Sequence, residues 1–417
     1  MAMRRKLWFT LAALPSNRSF GLSMSTSSSS SLSLLENKLK GWGSGGDPSQ
    51  LFLLDGGTGE ELFQRGVPDD RKIWSAMALV HSQYHDTLAK VHRSFLEAGA
   101  DAITTNSYGV VPGVGFSPDE IVQYVTTAGR IARQVVDDFE KTRTTKDQTH
   151  KLVLGSMGPL VESYRPDKLM DPPEGIKMYG IIAKALAPFV DLFIAETMGC
   201  VGESTQAIRA VAQLNSEMEE NDDKSAAKSM LVSYTLDSHG KLRDGESPTK
   251  AILRTLDVCK EANVQCKCFV VSSRNYSAFN FLSHIKSRLR SLTPFLYFPS
   301  HLHCIITLVL GVLFNCATPE SISQALQSIR VDSELQRTLA NLGIRIGAYA
   351  NRLTPVEANW SMEESDAPQP TRADMDVKQY AEEFVASWVK DCGVTIVGGC
   401  CGITPAHIAA IHSRLRQ

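Results

Sequence analysis

Two adjacent cysteines near the C-terminus give the clearest indication of chemistry in this chain. Cys400 and Cys401 follow the apolar run VTIVGG at residues 394–399, which predicts a buried strand ending in a glycine turn. Neighbouring thiols at a strand end are poorly placed to pair with each other, because a disulfide requires separated Cα atoms. They are well placed to bind a soft metal such as zinc. Cys316, at the end of the run GVLFNC, is the candidate third ligand.

Three thiolates leave one position of a tetrahedral zinc site open. Structural zinc sites are usually closed by four protein ligands, whereas catalytic sites keep a position for water or substrate. The alternative interpretation is that Cys400 and Cys401 are ordinary buried thiols, since free cysteine is among the most buried residue types. The glycines around the pair and the matching Cys316 upstream favour a catalytic zinc site.

Eight short apolar runs divide the chain from residue 51 onward, with helix-period segments between them. The runs occupy residues 51–55, 101–106, 151–156, 192–197, 230–235, 312–316, 345–351 and 394–399. Tyr84, Leu88, Val91 and Phe95 illustrate the helical spacing of three and four residues. This alternation predicts an α/β fold with a parallel sheet, and eight units predict a TIM (β/α)8 barrel, whose active site lies at the carboxyl ends of the strands.

Polar side chains cluster where these apolar runs end. They are Asp55, Asn106, Ser156, Glu196, Asn351 and the three cysteines. A doubly wound open sheet is the alternative architecture, but its first turn usually carries a phosphate loop with the spacing GxGxxG. The turn at residues 55–62 reads DGGTGEEL and lacks this spacing, so the barrel is the predicted fold.

The region of the sixth strand interrupts the pattern. The apolar run CFVV at residues 268–271 begins where a strand is expected, because αβ loops are short. The run GVLFNC appears only at residues 311–316, and joining Val271 to Gly311 would restore one continuous strand. We therefore interpret residues 272–310 as an atypical insertion inside this strand, for which a retained intron is one explanation.

Residues 1–50 differ in composition from the rest of the chain. The first 35 residues contain four basic residues, a serine run and no acidic residue, which is typical of an organellar transit peptide. The alternatives are a disordered tail or a translation start at Met24. Residues 40–50 resemble a Gly/Ser linker, so one barrel domain is expected over residues 51–417. The cytoplasm is the expected compartment, with the mitochondrion as the alternative.

The composition of the chain excludes several classes of partner. The 417 residues carry a formal net charge of −2 and show no basic stripe, so nucleic acid is not an expected partner. The apolar part of the insertion, residues 304–314, is shorter than the roughly 20 residues of a spanning helix, so no membrane association is expected. Nine cysteines without a secretory signal favour a reducing compartment. The oligomeric state is left open.

Segments spread over most of the chain resemble one known enzyme family. In chain order they read LLDGGTGEEL, WSAMAL, VHRSFLEAGADAITTNSY, LFIAETM, FNCATPESI, YAN and GVTIVGGCCGITPAHI. In this order they resemble the homocysteine S-methyltransferases. The resemblance implies a barrel with one catalytic zinc ion held by Cys316, Cys400 and Cys401. It also implies that Asp55 and Glu196 help to hold homocysteine, with Glu196 binding the substrate ammonium.

The resemblance also bears on the methyl donor. The WSAMAL and ITTNSY segments look closer to the branch that uses the sulfonium compounds S-methylmethionine or S-adenosylmethionine, and methionine would be the product. Trp74 and Tyr108 are candidates to bind a sulfonium cation through cation–π contacts worth roughly 0.5 to 2 kcal/mol. The alternative is that both rings only pack. In the first loop, Thr58 and Glu60 replace the methionine and threonine usual in the family.

Three other functions compete with this hypothesis. One is a zinc- or thiol-binding barrel inactivated by the insertion at residues 272–310, which separates Cys316 from the start of its strand. Another is a methyltransferase of the same family that uses betaine. The third is a metal-dependent hydrolase on the same fold, which is disfavoured because no strand end offers the histidine ligands that hydrolases prefer.

Overall fold

The computed structural model describes residues 51–143, 150–220, 227–274, 308–355 and 370–415 of the chain. Its centre is a sheet of eight parallel strands. They are β1 (Phe52–Leu53), β2 (Ala102–Thr104), β3 (Leu152–Met157), β4 (Leu192–Met198), β5 (Met230–Tyr234), β6 (Val309–Asn315), β7 (Arg345–Tyr349) and β8 (Ile396–Val397). Each strand overlaps one of the eight apolar runs, as expected for strands that are buried on both faces.

Hydrogen bonds close the sheet into a barrel. The strands pair in the order β1-β8-β7-β6-β5-β4-β3-β2. Asp101, just before β2, joins the two ends of this order: its N–H donates to the Leu53 carbonyl at 2.7 Å, and its carboxylate accepts from the Leu53 N–H at 2.9 Å. The Asp101 carbonyl accepts from the N–H of Leu152 in β3 at 2.9 Å. The nearly closed (β/α)8 barrel predicted from the sequence is confirmed.

Helices connect the strands and pack on the outside of the sheet. The α-helices are α1 (Thr58–Gln64), α2 (Met77–Val80), α3 (His85–Glu97), α4 (Pro118–Thr142), α5 (Pro172–Leu186), α6 (Val201–Glu220), α7 (Pro248–Arg274), α8 (Pro319–Val331), α9 (Ser333–Leu342), α10 (Val377–Gln379), α11 (Ala386–Cys392) and α12 (Pro405–Leu415). A π-helical turn, Tyr380–Val385, joins α10 to α11. Within the described ranges, none of the helices combines the length and apolar character needed to cross a bilayer.

The strands alternate between two apolar layers. Phe52 and Leu54 point into the barrel, where side chains from the other strands fill the interior, whereas Leu53 packs against the helices. Ile194 and Phe193 divide in the same way in β4. The barrel interior is therefore a packed core, and polar side chains that act on a ligand must lie above it, at the strand ends.

The sixth strand differs from the expectation. β6 is a single continuous segment, Val309–Asn315, in which Val309 pairs with Met230 of β5 and Gly311 pairs with Leu231. Residues 268–271, expected to begin this strand, belong instead to α7. A short apolar run fits a helix as well as a strand, and LVL at residues 308–310 supplies the strand start.

The predicted limits of the insertion are therefore wrong at both ends. Residues 272–274 are helical and residues 309–310 lie in β6, so the segment does not interrupt the strand. Residues 275–307 lie outside the described residues, as do residues 1–50, on which the transit-peptide, disorder and linker predictions fall.

Candidate metal and substrate site

The three cysteines expected to bind zinc lie together at the carboxyl ends of β6 and β8. Cys316 directly follows β6, and Cys400 and Cys401 lie in the turn after β8. Their Sγ atoms are all within 4.8 Å of one another. Zinc–sulfur bonds of about 2.3 Å place tetrahedral thiolates roughly 4 Å apart, so a small contraction of the cluster accommodates the ion. The donor set fits a soft metal.

Glycines allow the turn after β8 to pack against the loop after β1. A Cβ atom on Gly57 would lie 2.8 Å from the carbonyl oxygen of Cys400, and one on Gly399 would lie 2.1 Å from Cγ2 of Ile403. The Gly57 N–H donates to the Ile403 carbonyl at 2.8 Å, and the Cys400 N–H donates to the Ala350 carbonyl at 2.9 Å. The glycines of both motifs thus permit the close backbone approach that fixes the two C-terminal thiols.

The thiols face a cavity of about 1300 Å³ at the mouth of the barrel, a volume that includes its opening to solvent. The cavity is also lined by the residues that the sequence suggested for substrate binding: Asp55, Trp74, Tyr108 and Glu196. The fold therefore brings the predicted metal ligands and the predicted substrate residues into one site.

Two carboxyl groups line the cavity, of which Asp55 is buried and Glu196 is partly buried. The carboxylate oxygens of Asp55 accept hydrogen bonds from the N–H (2.7 Å) and the hydroxyl (2.9 Å) of Thr104. Glu196 accepts from the hydroxyls of Ser156 and Tyr349, the latter at 3.4 Å. Burial raises the pKa of both carboxyl groups to about 7, because the ionised form loses its hydration there. A bound cation would restore the ionised form of either group.

Two aromatic rings form one wall of the cavity. The ring centroids of Trp74 and Tyr108 are 6.0 Å apart with the planes tilted by 57°. The Tyr108 hydroxyl lies 2.7 Å from the hydroxyl of Ser163, so the polar end of the ring has a partner in the protein. Both rings line the cavity, and an aromatic ring face is an electron-rich surface that attracts an organic cation.

Strained backbone is concentrated around the cavity. Among the described residues, the non-glycine positions with positive φ are Trp74 (53°), Tyr164 (67°), Thr197 (60°) and Cys316 (49°). All four line the cavity. The side chain of Asn315 holds one of them, since its Oδ1 accepts from the Thr197 N–H and its Nδ2 donates to the Thr197 hydroxyl, both at 2.9 Å. Such conformations persist only where surrounding contacts enforce them, and they are typical of functional sites.

The pKa values of the clustered thiols are shifted in opposite directions. Hydrogen bonds from Cys400 and Cys401 hold the pKa of the Cys316 thiol well below its ordinary value, while the same contacts raise the pKa of Cys400 well above it. The hydroxyl of Tyr164 lies 2.8 Å from Cys316 Sγ and adds a further hydrogen bond. The cluster thus favours a first thiolate at Cys316, and ionisation of all three thiols calls for a metal cation.

Several residues of the site escaped the sequence analysis. Tyr164, Thr197 and Tyr349 reach the cavity, yet none was singled out as a ligand-binding residue. Tyr349 and Thr197 lie at the ends of predicted strands, where a (β/α)8 barrel places its active-site residues, so the sequence pattern could have identified them. Tyr164 lies in the loop after β3, where neither periodicity nor glycine spacing marks a position.

Comparison with known proteins identifies the family of this chain. A family model described as homocysteine S-methyltransferase matches residues 52–295 and 285–415. The chain belongs to the homocysteine S-methyltransferase family. The enzyme class expected from the sequence resemblance is thereby confirmed, and the chain is a methyltransferase.

Relatives of the homocysteine S-methyltransferase family cover nearly the whole chain. The homocysteine S-methyltransferase 3 of Zea mays is 23% identical over 377 residues, which are 88% of this chain and 90% of the relative. The homocysteine S-methyltransferase 1 of Saccharomyces cerevisiae is 22% identical over 382 residues, which are 88% of this chain and 94% of the relative.

A solved structure has the same fold. The metallated form of the homocysteine methyltransferase MmuM from Escherichia coli superposes with a TM-score of 0.55 at 21% identity. The match covers 87% of this chain and 96% of that protein. At this identity the likeness establishes the barrel architecture, and the chemistry has to be argued from the site itself.

Proposed function

We propose that this protein transfers a methyl group from a sulfonium donor, S-methylmethionine or S-adenosylmethionine, to the sulfur of homocysteine, and that it requires zinc. The observation that carries the proposal is the convergence of three thiols, the carboxyl groups of Asp55 and Glu196 and two aromatic rings in one cavity. Family membership supports the acceptor, and the metallated state of the E. coli relative supports a metal.

Cys316, Cys400 and Cys401 would hold the zinc ion and leave one position for the substrate sulfur. A thiol with a pKa of about 8.5 is only slightly ionised at neutral pH, whereas the thiolate is the nucleophile. When bound, zinc supplies the charge that keeps the homocysteine sulfur deprotonated. The glycine-rich turn after β8 and the end of β6 fix the three thiols before any ligand arrives, so little reorganisation is needed.

Glu196 and Asp55 would bind the amino-acid end of homocysteine. In the part of the chain that the structure describes, the hydrogen-bond partners of both carboxyl groups are uncharged, and burial raises the pKa of each group to about 7. The ammonium group of homocysteine would pair with Glu196 and stabilise its ionised form. The carboxyl groups thereby orient the substrate so that its sulfur points toward the thiols.

Transfer of the methyl group removes the positive charge of the sulfonium donor. An electron pair of the homocysteine sulfur forms the new S–CH3 bond, and the methyl–sulfur bond of the donor breaks with its electron pair remaining on the donor sulfur. The sulfonium cation becomes a neutral thioether, and homocysteine becomes methionine. The aromatic wall of Trp74 and Tyr108 would hold the cation before transfer through cation–π contacts of roughly 0.5 to 2 kcal/mol.

The alternative of a barrel inactivated by residues 272–310 is less well supported. β6 is continuous up to Asn315, and Cys316 lies within reach of the other two thiols.

We also propose that residues 51–417 form the barrel domain, preceded by an extension, and that the protein acts in the cytoplasm, with the mitochondrion as the alternative. Imaging a fluorescent protein fused after residue 50, and again after Gln417, would distinguish the compartments.

A donor comparison tests the proposal. The zinc-loaded full-length chain is supplied with homocysteine and, in turn, S-methylmethionine, S-adenosylmethionine and betaine, and methionine is quantified by mass spectrometry. We expect methionine with at least one sulfonium donor and no turnover with betaine. Turnover with betaine alone would favour the betaine branch, and no turnover with any donor would support the inactivated barrel.

A further inference from the structure

A buried tyrosine outside the cavity bridges the two strands that lead toward the C-terminal thiols. β7 and β8 pair for the last time at Ala348 and Val397. Just beyond this pair, the Tyr380 hydroxyl accepts from the Ala350 N–H at 3.1 Å and donates to the Gly398 carbonyl at 2.7 Å. The hydroxyl thus links the two chain segments through a pair of hydrogen bonds at the point where the sheet ends.

The backbone of the thiol-bearing turn is bonded to the same two segments. Cys400 follows Gly398 by two residues, and its N–H donates to the Ala350 carbonyl at 2.9 Å. The N–H of Gly399, between them, donates to the Asp55 carbonyl at 2.9 Å. Ala350 is therefore bonded through its N–H to Tyr380 and through its carbonyl to Cys400. A displacement of the tyrosine hydroxyl would reach the Cys400 backbone through a single residue.

The ring of Tyr380 is held from several sides. Tyr380 is fully buried and begins the π-helical turn, and its N–H donates to the Asp376 carbonyl at 3.0 Å. The rings of Trp388 and His407 lie edge-on to it, each with a centroid distance of 6.1 Å. π-Helical turns are rare in proteins and occur frequently at functional sites. A ring packed in this way leaves its hydroxyl little freedom to move.

The hydroxyl of Tyr380 remains protonated in this environment. Burial raises its pKa well above the ordinary value, because the phenolate would lose its hydration. It can therefore donate to one strand end and accept from the other at the same time. Tyr380 does not line the cavity, so any influence on the reaction passes through the backbone and not through contact with a substrate.

Resting on the proposed zinc site, we infer that Tyr380 is a positioning residue for the metal. Its hydroxyl fixes the ends of β7 and β8 relative to each other and thereby sets the positions of Cys400 and Cys401 before the ion binds. Thiols that are already in place bind the ion with little reorganisation. Residues that orient metal ligands from outside the coordination shell typically contribute roughly ten- to hundredfold to metal affinity.

Metal binding by the Tyr380→Phe variant tests this role, because phenylalanine keeps the ring and removes both hydrogen bonds. The full-length chain is stripped of metal, and zinc dissociation constants are measured by competition with a chromogenic chelator. Co²⁺ in place of zinc adds an absorption spectrum that reports the tetrahedral thiolate geometry. Neither readout requires turnover. Thermal unfolding of the metal-free chains measures general destabilisation separately.

Tyr234→Phe is the matched control. Tyr234 is also fully buried, and its hydroxyl has two partners, the hydroxyls of Ser204 at 2.7 Å and of Thr255. It lies in β5 and does not line the cavity. The control therefore loses a buried hydroxyl with two hydrogen bonds at a place that has no link to the thiol-bearing turn.

We expect Tyr380→Phe to weaken zinc binding roughly ten- to hundredfold and to change the Co²⁺ spectrum. Tyr234→Phe should bind both ions as the unaltered chain does. Both variants should lose thermal stability, because each removes buried hydrogen bonds. Equal zinc dissociation constants for Tyr380→Phe and the unaltered chain would refute the inference, as would an equal loss of zinc affinity in the control.

Amide hydrogen exchange gives a second test that needs no variant. In the metal-free, unaltered chain the Ala350 N–H should exchange slowly, because the Tyr380 hydroxyl already holds it. Exchange at the rate of an unprotected amide would show that the strand ends are not fixed before the metal binds. That result would refute the inference even if Tyr380→Phe did not fold.

Failure of the proposed function would give a different result. If the unaltered chain bound zinc and Tyr380→Phe bound it more weakly, but neither formed methionine, the proposed methyl transfer would be wrong and the role of Tyr380 would stand. Methyl transfer by the unaltered chain, combined with equal zinc affinity in both chains, would refute the role of Tyr380 alone.

Discussion

Replacing Glu196 with glutamine should weaken homocysteine binding and at the same time stabilise the free protein. Glutamine keeps the size of the side chain. Its amide oxygen can accept from one of the hydroxyls of Ser156 and Tyr349, and its NH2 group can donate to the other, so the change removes charge with little change in packing. A hydrogen bond to a charged group contributes about 1.5 to 3 kcal/mol, which corresponds to a loss of roughly ten- to hundredfold in kcat/KM for homocysteine.

The effect on stability has the opposite sign. The pKa of Glu196 is about 7 in the folded chain against an ordinary value of 4.5, so the folded state favours the neutral carboxyl group. Its contribution to the free energy of unfolding is fully present below pH 4.5 and is lost as the pH rises through 7. At 1.36 kcal/mol per pKa unit, the difference between pKa values of about 7 and 4.5 corresponds to at most about 3 kcal/mol of unfolding free energy. The unaltered chain loses this stability by pH 8, whereas the Glu196→Gln variant does not.

Urea unfolding at pH 5 and pH 8, together with homocysteine kinetics at pH 8, measures both effects. Glu203→Gln is the matched control, because burial also raises the pKa of Glu203 to about 7, yet this residue does not line the cavity. The control should show the same gain in stability at pH 8 with unchanged kcat/KM. If Glu196→Gln retained full kcat/KM for homocysteine, the assignment of Glu196 to the substrate ammonium would be wrong.

Three further predictions follow from other parts of the structure. Cys400→Ser should lose both bound zinc and methyl transfer, whereas Cys259→Ser, at a buried thiol outside the site, should keep its zinc by elemental analysis. His92→Leu should make the protein more resistant to acid unfolding, because the buried His92 ring has a pKa of about 4 against 6.5 in the unfolded chain. The unaltered chain therefore loses up to about 3 kcal/mol of unfolding free energy as the pH falls from 6.5 to 4. Equal acid unfolding midpoints for the variant and the unaltered chain would contradict this. Gly399→Ala should destabilise the protein by roughly 1 to 3 kcal/mol through its clash with Ile403, whereas Gly180→Ala, whose Cβ meets no atom within 4 Å, should be neutral or stabilising in thermal unfolding.

Much of the fold could be predicted from the sequence because buried parallel strands are short apolar runs bounded by glycine and polar residues. The runs ending at Asp55 and Cys316 illustrate this, since each strand and the candidate site residue after it were predicted together. The start of β6 was missed because CFVV at residues 268–271 is too short for its period to distinguish a helix from a strand. Pairing with Met230 in β5, a tertiary contact, decides where β6 begins.

The candidate site was predictable where its residues stand in glycine-bounded motifs at strand ends, as Cys400, Cys401 and Glu196 do. Tyr164, whose hydroxyl lies 2.8 Å from Cys316 Sγ, has a backbone φ of 67°, a conformation that a sequence pattern does not predict for a non-glycine residue. Such positions depend on contacts between segments that are distant in the sequence, so they require the three-dimensional structure.

The most direct test of the central claim is a zinc titration of the chelator-treated full-length chain in the presence of homocysteine and S-methylmethionine or S-adenosylmethionine. Methionine formation should be absent without zinc and should saturate at about one zinc ion per chain, as expected for a single site with three thiolate ligands. Methionine formation in the fully zinc-free chain, or zinc binding that never restores activity, would contradict the account.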